Sequence, residues 1–157
     1  MDIAQLKLRP ATDQDRDAIV RLISDALQEY SLPLYLDTMD SDLNDIRGSY
    51  EAAGGFFDVL EGAQGEIAGC VGLRPAAGPT CELRRMYLKA SWRGKGLGKR
   101  LLEHAVERAK ALGFSRILLE TASVLKEAIG LYTRYGFRPQ EHAELSKCCD
   151  RAYVMEL

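Results

Sequence analysis

Apolar residues recur at two different spacings along the chain. Between Asp13 and Glu29, and again from Leu97 to Leu112, they fall three or four positions apart, which predicts amphipathic helices. Runs rich in β-branched and aromatic residues, bounded by turn residues, predict strands. The predicted strands are Leu6–Pro10, Phe56–Glu61, Glu66–Arg74, Thr80–Leu88, Ser115–Thr121, a strand starting at Phe137, and Arg151–Leu157; two further predicted helices are Ser41–Tyr50 and Val124–Tyr135.

The connections between these elements predict how the strands pair. Gly62 to Gly65 form a hairpin signal, and the flanking strands continue into Thr80–Leu88 as an antiparallel meander. The strand Ser115–Thr121 follows a crossover helix, so it must run parallel to Thr80–Leu88. The order therefore predicts an α/β protein with a mixed sheet, and a chain of 157 residues is most simply one domain, residues 1–157.

A glycine-rich and basic stretch lies between the strand Thr80–Leu88 and the helix that follows it. Glycines let successive N–H groups turn towards one point, and the start of a helix adds further unpaired N–H groups. Cations are unfavourable at a helix N-terminus unless an anion is bound there. The stretch therefore predicts a site for a diphosphate or polyphosphate. Its sequence is Trp92-Arg93-Gly94-Lys95-Gly96-Leu97-Gly98-Lys99-Arg100.

Two common phosphate-binding motifs fit this stretch poorly. A dinucleotide site needs G-x-G-x-x-G, whereas the spacing here is G-x-G-x-G, and only Glu120 stands near where a ribose-binding acid would fall. A Walker loop needs glycine where Arg93 stands and serine or threonine where Arg100 stands. A dinucleotide-dependent oxidoreductase is the alternative function, which a thermal shift with NAD or NADP would test.

A third motif fits, and it resembles that of the GCN5-related N-acetyltransferase (GNAT) superfamily. Arg93-x-x-Gly96-x-Gly98 is similar to the pyrophosphate loop of that family. The segment from Ala128 to Phe137, Ala-Ile-Gly-Leu-Tyr-Thr-Arg-Tyr-Gly-Phe, is similar to its second hallmark, A-x-x-L-Y-x-x-x-G-F. The resemblance extends from about Leu6 to the C-terminus. It implies the element order βααβββαβαββ, with the fourth and fifth strands splayed apart as a V.

The resemblance also implies acetyl-CoA as the co-substrate, with no metal. The pyrophosphate would lie on the glycine loop and the pantetheine arm along the fourth strand, facing the backbone of Met86 and Leu88. A backbone N–H there would polarise the thioester carbonyl. The residues implied to bind the co-substrate are Met86, Tyr87, Leu88, Arg93, Gly94, Lys95, Gly96, Leu97, Gly98, Lys99, Arg100, Thr121, Leu125 and Tyr132.

Leu125 is a departure from the family pattern. Most members have an asparagine that bonds pantetheine seven residues before the motif tyrosine, and Leu125 stands there. That contact is therefore lost or is supplied by Thr121 or Ser123.

Tyr132 is the candidate catalytic acid. It stands where family members have the tyrosine that gives a proton to the departing thiolate, and a phenol can act as that acid. The helical pattern alone is that of a core tyrosine, so the acid role depends on the motif.

Glu82 is the candidate base that takes the proton of the attacking amine. Strand alternation predicts that it shares a face with Arg84, Met86 and Leu88. A surface carboxylate paired with Arg84 or Lys89 is the alternative.

The remaining histidines and cysteines offer weaker candidates. His104 and His142 are further possible bases, and both are expected to be solvated. A zinc site from Cys148, Cys149 and His142 is disfavoured because adjacent cysteines do not have metal-ligand spacing. The cysteines form no disulfide framework.

The acceptor is expected to be a small amine or a peptide. The implied pocket lies between the first two helices and the last hairpin, and an acidic entrance would suit a cationic amine, although loop acids are also commonly just solubilising. A coenzyme A-binding sensor without transfer activity is the alternative function. The residues expected at this entrance are Tyr30, Leu34, Tyr35, Leu36, Asp37, Asp40 and Asp42.

Charge and composition narrow the partners. The formal net charge is −2 and the basic residues cluster in one loop, which argues against nucleic acid. No apolar run approaches the roughly 18 residues of a membrane span, and the first residues lack a secretory signal pattern. We therefore expect a cytoplasmic protein, monomeric or homodimeric.

Overall fold

The computed structural model describes residues 2–141, 145 and 149–157 of the chain. None of the described helices is both long enough and apolar enough to cross a membrane. The strands are β1 (Lys7–Pro10), β2 (Phe56–Glu61), β3 (Ile67–Pro75), β4 (Thr80–Leu88), β5 (Arg116–Thr121), β6 (Arg138–Pro139) and β7 (Arg151–Glu156); the helices are α1 (Arg16–Gln28), α2 (Leu97–Ala111) and α3 (Lys126–Tyr135).

The strands form a seven-stranded mixed sheet in the order β1-β2-β3-β4-β5-β7-β6. All neighbours are antiparallel except β4 and β5, which are parallel and are joined through α2. This arrangement confirms the predicted α/β class and the parallel pair around the glycine loop. Most predicted boundaries agree with the structure within two residues.

Two apolar clusters cover the two faces of the sheet. One cluster joins α2 and α3 to β4 and β5 through residues such as Leu101, Leu83 and Ile117. The other joins α1 to the opposite face through Ile19 and Val59. The helices therefore hold both sides of β4 and fix the edge at which the glycine loop begins.

The predicted helix Ser41–Tyr50 is wrong. The segment forms a 3₁₀ turn, Ser41–Asn44, and a short π-helical turn, Arg47–Glu51. Between them Asp45 leaves helical geometry, and its carboxylate accepts a hydrogen bond from the Gly48 N–H at 3.0 Å. Side chains of this type compete with the helical backbone for its N–H groups, which explains the interruption.

The parallel strands β4 and β5 pair only at their first residues. Thr80, Cys81 and Glu82 lie opposite Arg116, Ile117 and Leu118, and the pairing ends there. Beyond Glu82 the strands separate, while β5 stays bonded to β7 as far as Thr121. The separation leaves one edge of β4 open and confirms the predicted V.

A β-bulge interrupts β4 at Arg85. Cys70 of β3 lies opposite Tyr87, but Gly72 lies opposite Arg84, so β4 carries one extra residue. Arg85 has a φ of 57°, in the left-handed region.

The bulge reverses which residues of β4 face α2. Before it, Cys81 and Leu83 pack against α2, and after it Met86 and Leu88 do. The prediction that Glu82 shares a face with Met86 and Leu88 is therefore wrong, because one extra residue inverts a strand's alternation.

Candidate active site

A cavity of about 500 Å³ fills the V between β4 and β5. It extends from the glycine loop past the open edge of β4 to Glu82 and Glu120, and α3 closes its other side with Leu131 and Tyr132. The cavity therefore joins the predicted phosphate loop to both predicted catalytic residues.

The glycine loop presents unpaired backbone amides to this cavity. Gly94 and Gly96 have φ values of 76° and 79°, which favour glycine, and a Cβ on either would meet no atom within 4 Å. The first helical hydrogen bond is donated by Arg100 to the Gly96 carbonyl at 3.2 Å. Within the described residues, the N–H groups from Gly94 to Lys99 have no backbone acceptor. Such a row of donors at a helix start fits a diphosphate.

Gly98 has a different role, because it allows close packing. A Cβ there would lie 3.2 Å from Leu131 of α3 and 3.8 Å from Leu88 of β4. The absence of a side chain lets the first turn of α2 lie directly against both elements.

The basic residues of the loop do not all face the cavity. Lys99 and Arg93 line it, but Arg93 donates two hydrogen bonds to the Leu88 carbonyl, at 3.0 and 3.2 Å, and pairs at 2.5 Å with Glu29, the residue that follows α1. Arg100 turns away and donates to the Leu6 carbonyl at 3.1 Å. Lys95 is exposed and does not line the cavity. The structure thus makes the amides, rather than the side chains, the main feature of the loop.

The open edge of β4 directs N–H groups into the cavity. The Lys89 N–H donates to the Ala68 carbonyl of β3 at 2.8 Å. Neighbouring residues of a strand point their N–H groups to opposite edges, so those of Leu88 and Met86 point away from β3. These donors face the space left by β5.

Tyr132 lies at the floor of the cavity and is only 7% exposed. Its ring packs at a tilt against Phe137, 5.8 Å between centroids. Burial raises the pKa of its phenol far above the usual range, and the nearby Tyr87 adds to that rise. No hydrogen-bond partner of its hydroxyl group is found among the residues that the structure describes. The phenol therefore stays protonated at neutral pH and holds a proton that it can donate.

Glu82 lies at the apex of the V. Burial raises the pKa of its carboxyl group; Arg84 and Arg74 oppose that rise, and the charge of Glu120 adds to it. The Glu82 carboxylate lies 3.3 Å from the Arg84 guanidinium. Glu82 pairs with Arg84, as its alternative interpretation expected, and it also lines the cavity, as a base would have to. A carboxylate with a raised pKa is a better base than an exposed one.

Glu120 and Arg85 are residues that sequence reasoning did not place at the acetyl-transfer site, whereas Tyr87 was predicted to bind the co-substrate. They line the first cavity and also a second one of about 540 Å³ that adjoins it. Burial raises the pKa of the Tyr87 phenol to about 12. Glu120 was a candidate only for a dinucleotide site, although its predicted strand, Ser115–Thr121, is one arm of the predicted V.

Arg85 pairs with two of the acids expected at the acceptor entrance. Its guanidinium lies 2.6 Å from the Asp42 carboxylate and 2.9 Å from the Asp40 carboxylate. The Tyr50 hydroxyl also donates to Asp42, at 2.5 Å. Burial alone would raise the pKa of Asp42, but the hydrogen bonds and charge of Arg85 outweigh it and lower the pKa. These acids are therefore neutralised within the protein and do not form an open acidic entrance.

Leu125 and Thr121 differ in position from Ser123. The first two line the cavity, whereas Ser123 is bound by the residue that precedes β7. Leu125 and Thr121 line both cavities. Ser123 is instead held by Asp150, to which its N–H and its hydroxyl both donate at 2.7 Å. Of the two replacements considered for the missing asparagine, Thr121 is the one on the cavity wall.

His104 lies away from the cavity. Its ring contacts the buried Asp58 carboxylate at 2.6 Å, which Arg108 also binds at 2.6 Å. The expectation of a solvated His104 is therefore wrong: only 24% of its side chain is exposed. His142 and Cys148 lie outside the described residues. Within the described part of the chain, no cluster of three or more histidine, cysteine or acidic side chains could hold a metal ion.

Comparison with known proteins identifies the class to which this fold and cavity belong. The model of the acetyltransferase (GNAT) family matches residues 18–137, and the chain belongs to that family. The Escherichia coli (strain K12) protein called uncharacterized N-acetyltransferase YjgM is 38% identical over 147 residues, which cover 90% of this chain and 86% of that protein. The predicted family and the predicted enzyme class, an acetyl-CoA-dependent acetyltransferase, are confirmed.

Solved structures agree at the level of the fold. A GNAT-family acetyltransferase from Staphylococcus aureus Mu50 has a TM-score of 0.91 at 20% identity, over 96% of this chain and 98% of that one. A phosphinothricin acetyltransferase from Sinorhizobium meliloti, crystallised in complex with AcCoA, has a TM-score of 0.76 at 21% identity, over 98% and 89%. These likenesses show the fold.

Proposed function

We propose that this protein transfers the acetyl group of acetyl-CoA to a primary amine of a small molecule or peptide, directly within a ternary complex. The observation that carries this proposal is the single cavity that joins the unpaired amides of the glycine loop to Tyr132 and Glu82. No covalent intermediate with the enzyme is needed, because donor and acceptor can enter the V from its two ends.

The cradle at the start of α2 is suited to the diphosphate of the co-substrate. Gly94 and Gly96 leave open the space that a Cβ would fill, and the amides up to Lys99 face it. We assign the grip chiefly to these amides and to Lys99. Arg93 joins the end of β4 to Glu29, the residue that follows α1.

The co-substrate supplies an activated acetyl group as a thioester. The N–H groups of Met86 and Leu88 are suited to bond the pantetheine arm, and one of them to polarise the thioester carbonyl, a role worth about 3 kcal/mol where the donor is fixed in advance. Leu125 and Thr121 complete the wall on the β5 side.

Glu82 and Tyr132 move the two protons of the reaction. Glu82 accepts a proton from the acceptor ammonium, directly or through water, so that the nitrogen can form its bond to the acetyl carbon. Tyr132 donates its phenolic proton to the sulfur as the sulfur–carbon bond breaks. Its raised pKa keeps the phenol neutral at working pH, so the proton is in place when the sulfur leaves.

Two broader predictions accompany the proposed activity. The seven strands belong to the same sheet, which supports one domain over residues 1–157. The buried thiols of Cys70 and Cys81 are free, which is typical of a reducing compartment and supports the cytoplasm. A monomer or homodimer and the absence of a nucleic-acid partner stay predictions.

Release of coenzyme A thiol upon mixing acetyl-CoA with a panel of amines tests the proposal. We expect release with at least one amine and an acetylated product of the corresponding mass. Double-reciprocal plots of initial velocity at several fixed amine concentrations should give intersecting lines. Parallel lines would contradict direct transfer. Binding of coenzyme A without thiol release from any amine would instead favour the non-catalytic sensor.

A further inference from the structure

We infer that the acceptor is a primary amine carried on an apolar body that has no carboxylate beside the amine, and that it binds in the second cavity. This inference rests on the proposed function and names the substrate class. It follows from the walls of that cavity, from the bonding of Arg85, and from the position of Glu82 and Glu120.

The second cavity is the natural continuation of the first. Its volume is about 540 Å³, and it shares Arg85, Tyr87, Glu120 and Thr121 with the cavity in the V. The shared residues lie between the open edge of β4 and the end of β5. A molecule that extends from the second cavity into the first would therefore lie against these residues.

The outer walls of the second cavity are largely apolar. They come from the end of α1 and the irregular segment that follows it. Such a surface favours an aliphatic or aromatic body, since burying apolar area stabilises a complex by about 25 cal/mol per Å². The residues that form it are Leu27, Leu32, Pro33, Tyr35 and Met39.

Arg85, a cation in the described part of this wall, is already paired with two aspartates. Arg85 is the one lysine or arginine among the described lining residues, and only 8% of its side chain is exposed. Its Nε and one terminal nitrogen bond Asp42 at 3.1 and 2.6 Å, and the other terminal nitrogen pairs with Asp40 at 2.9 Å. A carboxylate on the acceptor would compete with two buried aspartates for the same guanidinium. Burying an unpaired charge is strongly unfavourable, so we expect such an acceptor to be a poor substrate.

The ammonium group of the acceptor would meet negatively charged side chains near the apex of the V. Glu82 lies at the apex of the V, and Glu120 lies two residues beyond its strand partner Leu118 on the same face of β5. Both carboxylates line the first cavity, and Glu120 also lines the second. An ammonium group that leaves the apolar cavity for the thioester therefore passes between carboxylates, one of which is the proposed base.

Matched acceptors test this inference. We expect kcat/KM for 2-phenylethylamine to exceed that for L-phenylalanine by about 100-fold or more, with L-phenylalanine amide close to the amine, because the amide has similar size without the charge. Equal kcat/KM for the amine and the amino acid would overturn the inference. Thiol release from amino acids alone would overturn only this inference, whereas no release from any amine, with coenzyme A still bound, would overturn the proposed function as well.

A charge added to the wall gives a second test. Met39→Lys places a cation among the apolar residues of the second cavity, so it should raise kcat/KM for L-phenylalanine relative to 2-phenylethylamine by about 10-fold. Val124→Lys is the control, because Val124 is 49% exposed and lines neither cavity. Thermal melting checks that both variants fold. An unchanged ratio in folded Met39→Lys would place the acceptor elsewhere.

Discussion

Replacing Gly96 by aspartate tests the cradle at the start of α2. Gly96 has a φ of 79°, so any side chain costs about 1–2 kcal/mol of stability, but an added Cβ meets no atom within 4 Å. In the free protein, the destabilisation by Gly96→Asp therefore comes from backbone strain and not from steric overlap. In the complex, the carboxylate would lie roughly 5 Å from a diphosphate. Coulomb's law with an effective dielectric constant of about 60 gives about 1 kcal/mol for each pair of charges, or about 2 kcal/mol in all.

We therefore expect Gly96→Asp to weaken coenzyme A binding by about 30-fold, since 1.4 kcal/mol corresponds to tenfold. Gly65 is a matched control: its φ is 83°, a Cβ there also meets nothing within 4 Å, and it lies in the β2–β3 turn outside the cavity. Gly65→Asp should lose similar stability and keep its affinity. Calorimetric titration with coenzyme A at low salt measures the affinity of the two variants. Equal affinity of the two variants would refute the cradle.

Three further predictions concern single side chains. Tyr132→Phe should lower kcat by at least about tenfold with little change in coenzyme A affinity, and equal turnover would remove Tyr132 from the acid role. Glu82→Gln should remove the acidic limb of the pH–rate profile, which the raised pKa of Glu82 places above the usual carboxyl range; an unaltered limb would contradict a base role. Asp42→Asn should cost about 3 kcal/mol at pH 7, because it leaves the buried Arg85 partly unpaired. The pKa of Asp42 is lowered in the folded protein, so its stabilisation is complete above the usual carboxyl pKa and is lost as pH falls through the lowered one. The gap between the variant and the wild type in denaturant titrations should therefore narrow in acid, and a constant gap would contradict this account.

Sequence reasoning succeeded where a local pattern determines the structure. The helical spacing of apolar residues predicted α1 and α2, and the glycine loop with its crossover predicted the parallel pair β4 and β5. These features depend on residues that are close together in the chain. The family motifs then supplied the enzyme class.

It failed where distant residues decide the structure. The bulge at Arg85 is a mismatch between β3 and β4, so no feature of β4 alone reveals that its alternation inverts. His104 is bound by Asp58, a residue 46 positions away. The acids Asp40 and Asp42 were expected to form an acidic entrance, but they are paired with Arg85, whose position depends on the same bulge.

Gly98 brings the proposed phosphate site close to the helix that carries the proposed catalytic acid. The first turn of α2 rests on Leu131, which is the residue before Tyr132, and a single added methyl group would enter at 3.2 Å from it. A larger residue at position 98 would therefore crowd the Leu131 side chain on α3, the helix that carries Tyr132. The close approach of the phosphate loop to the helix that carries the proposed acid therefore depends on the absence of a side chain at position 98.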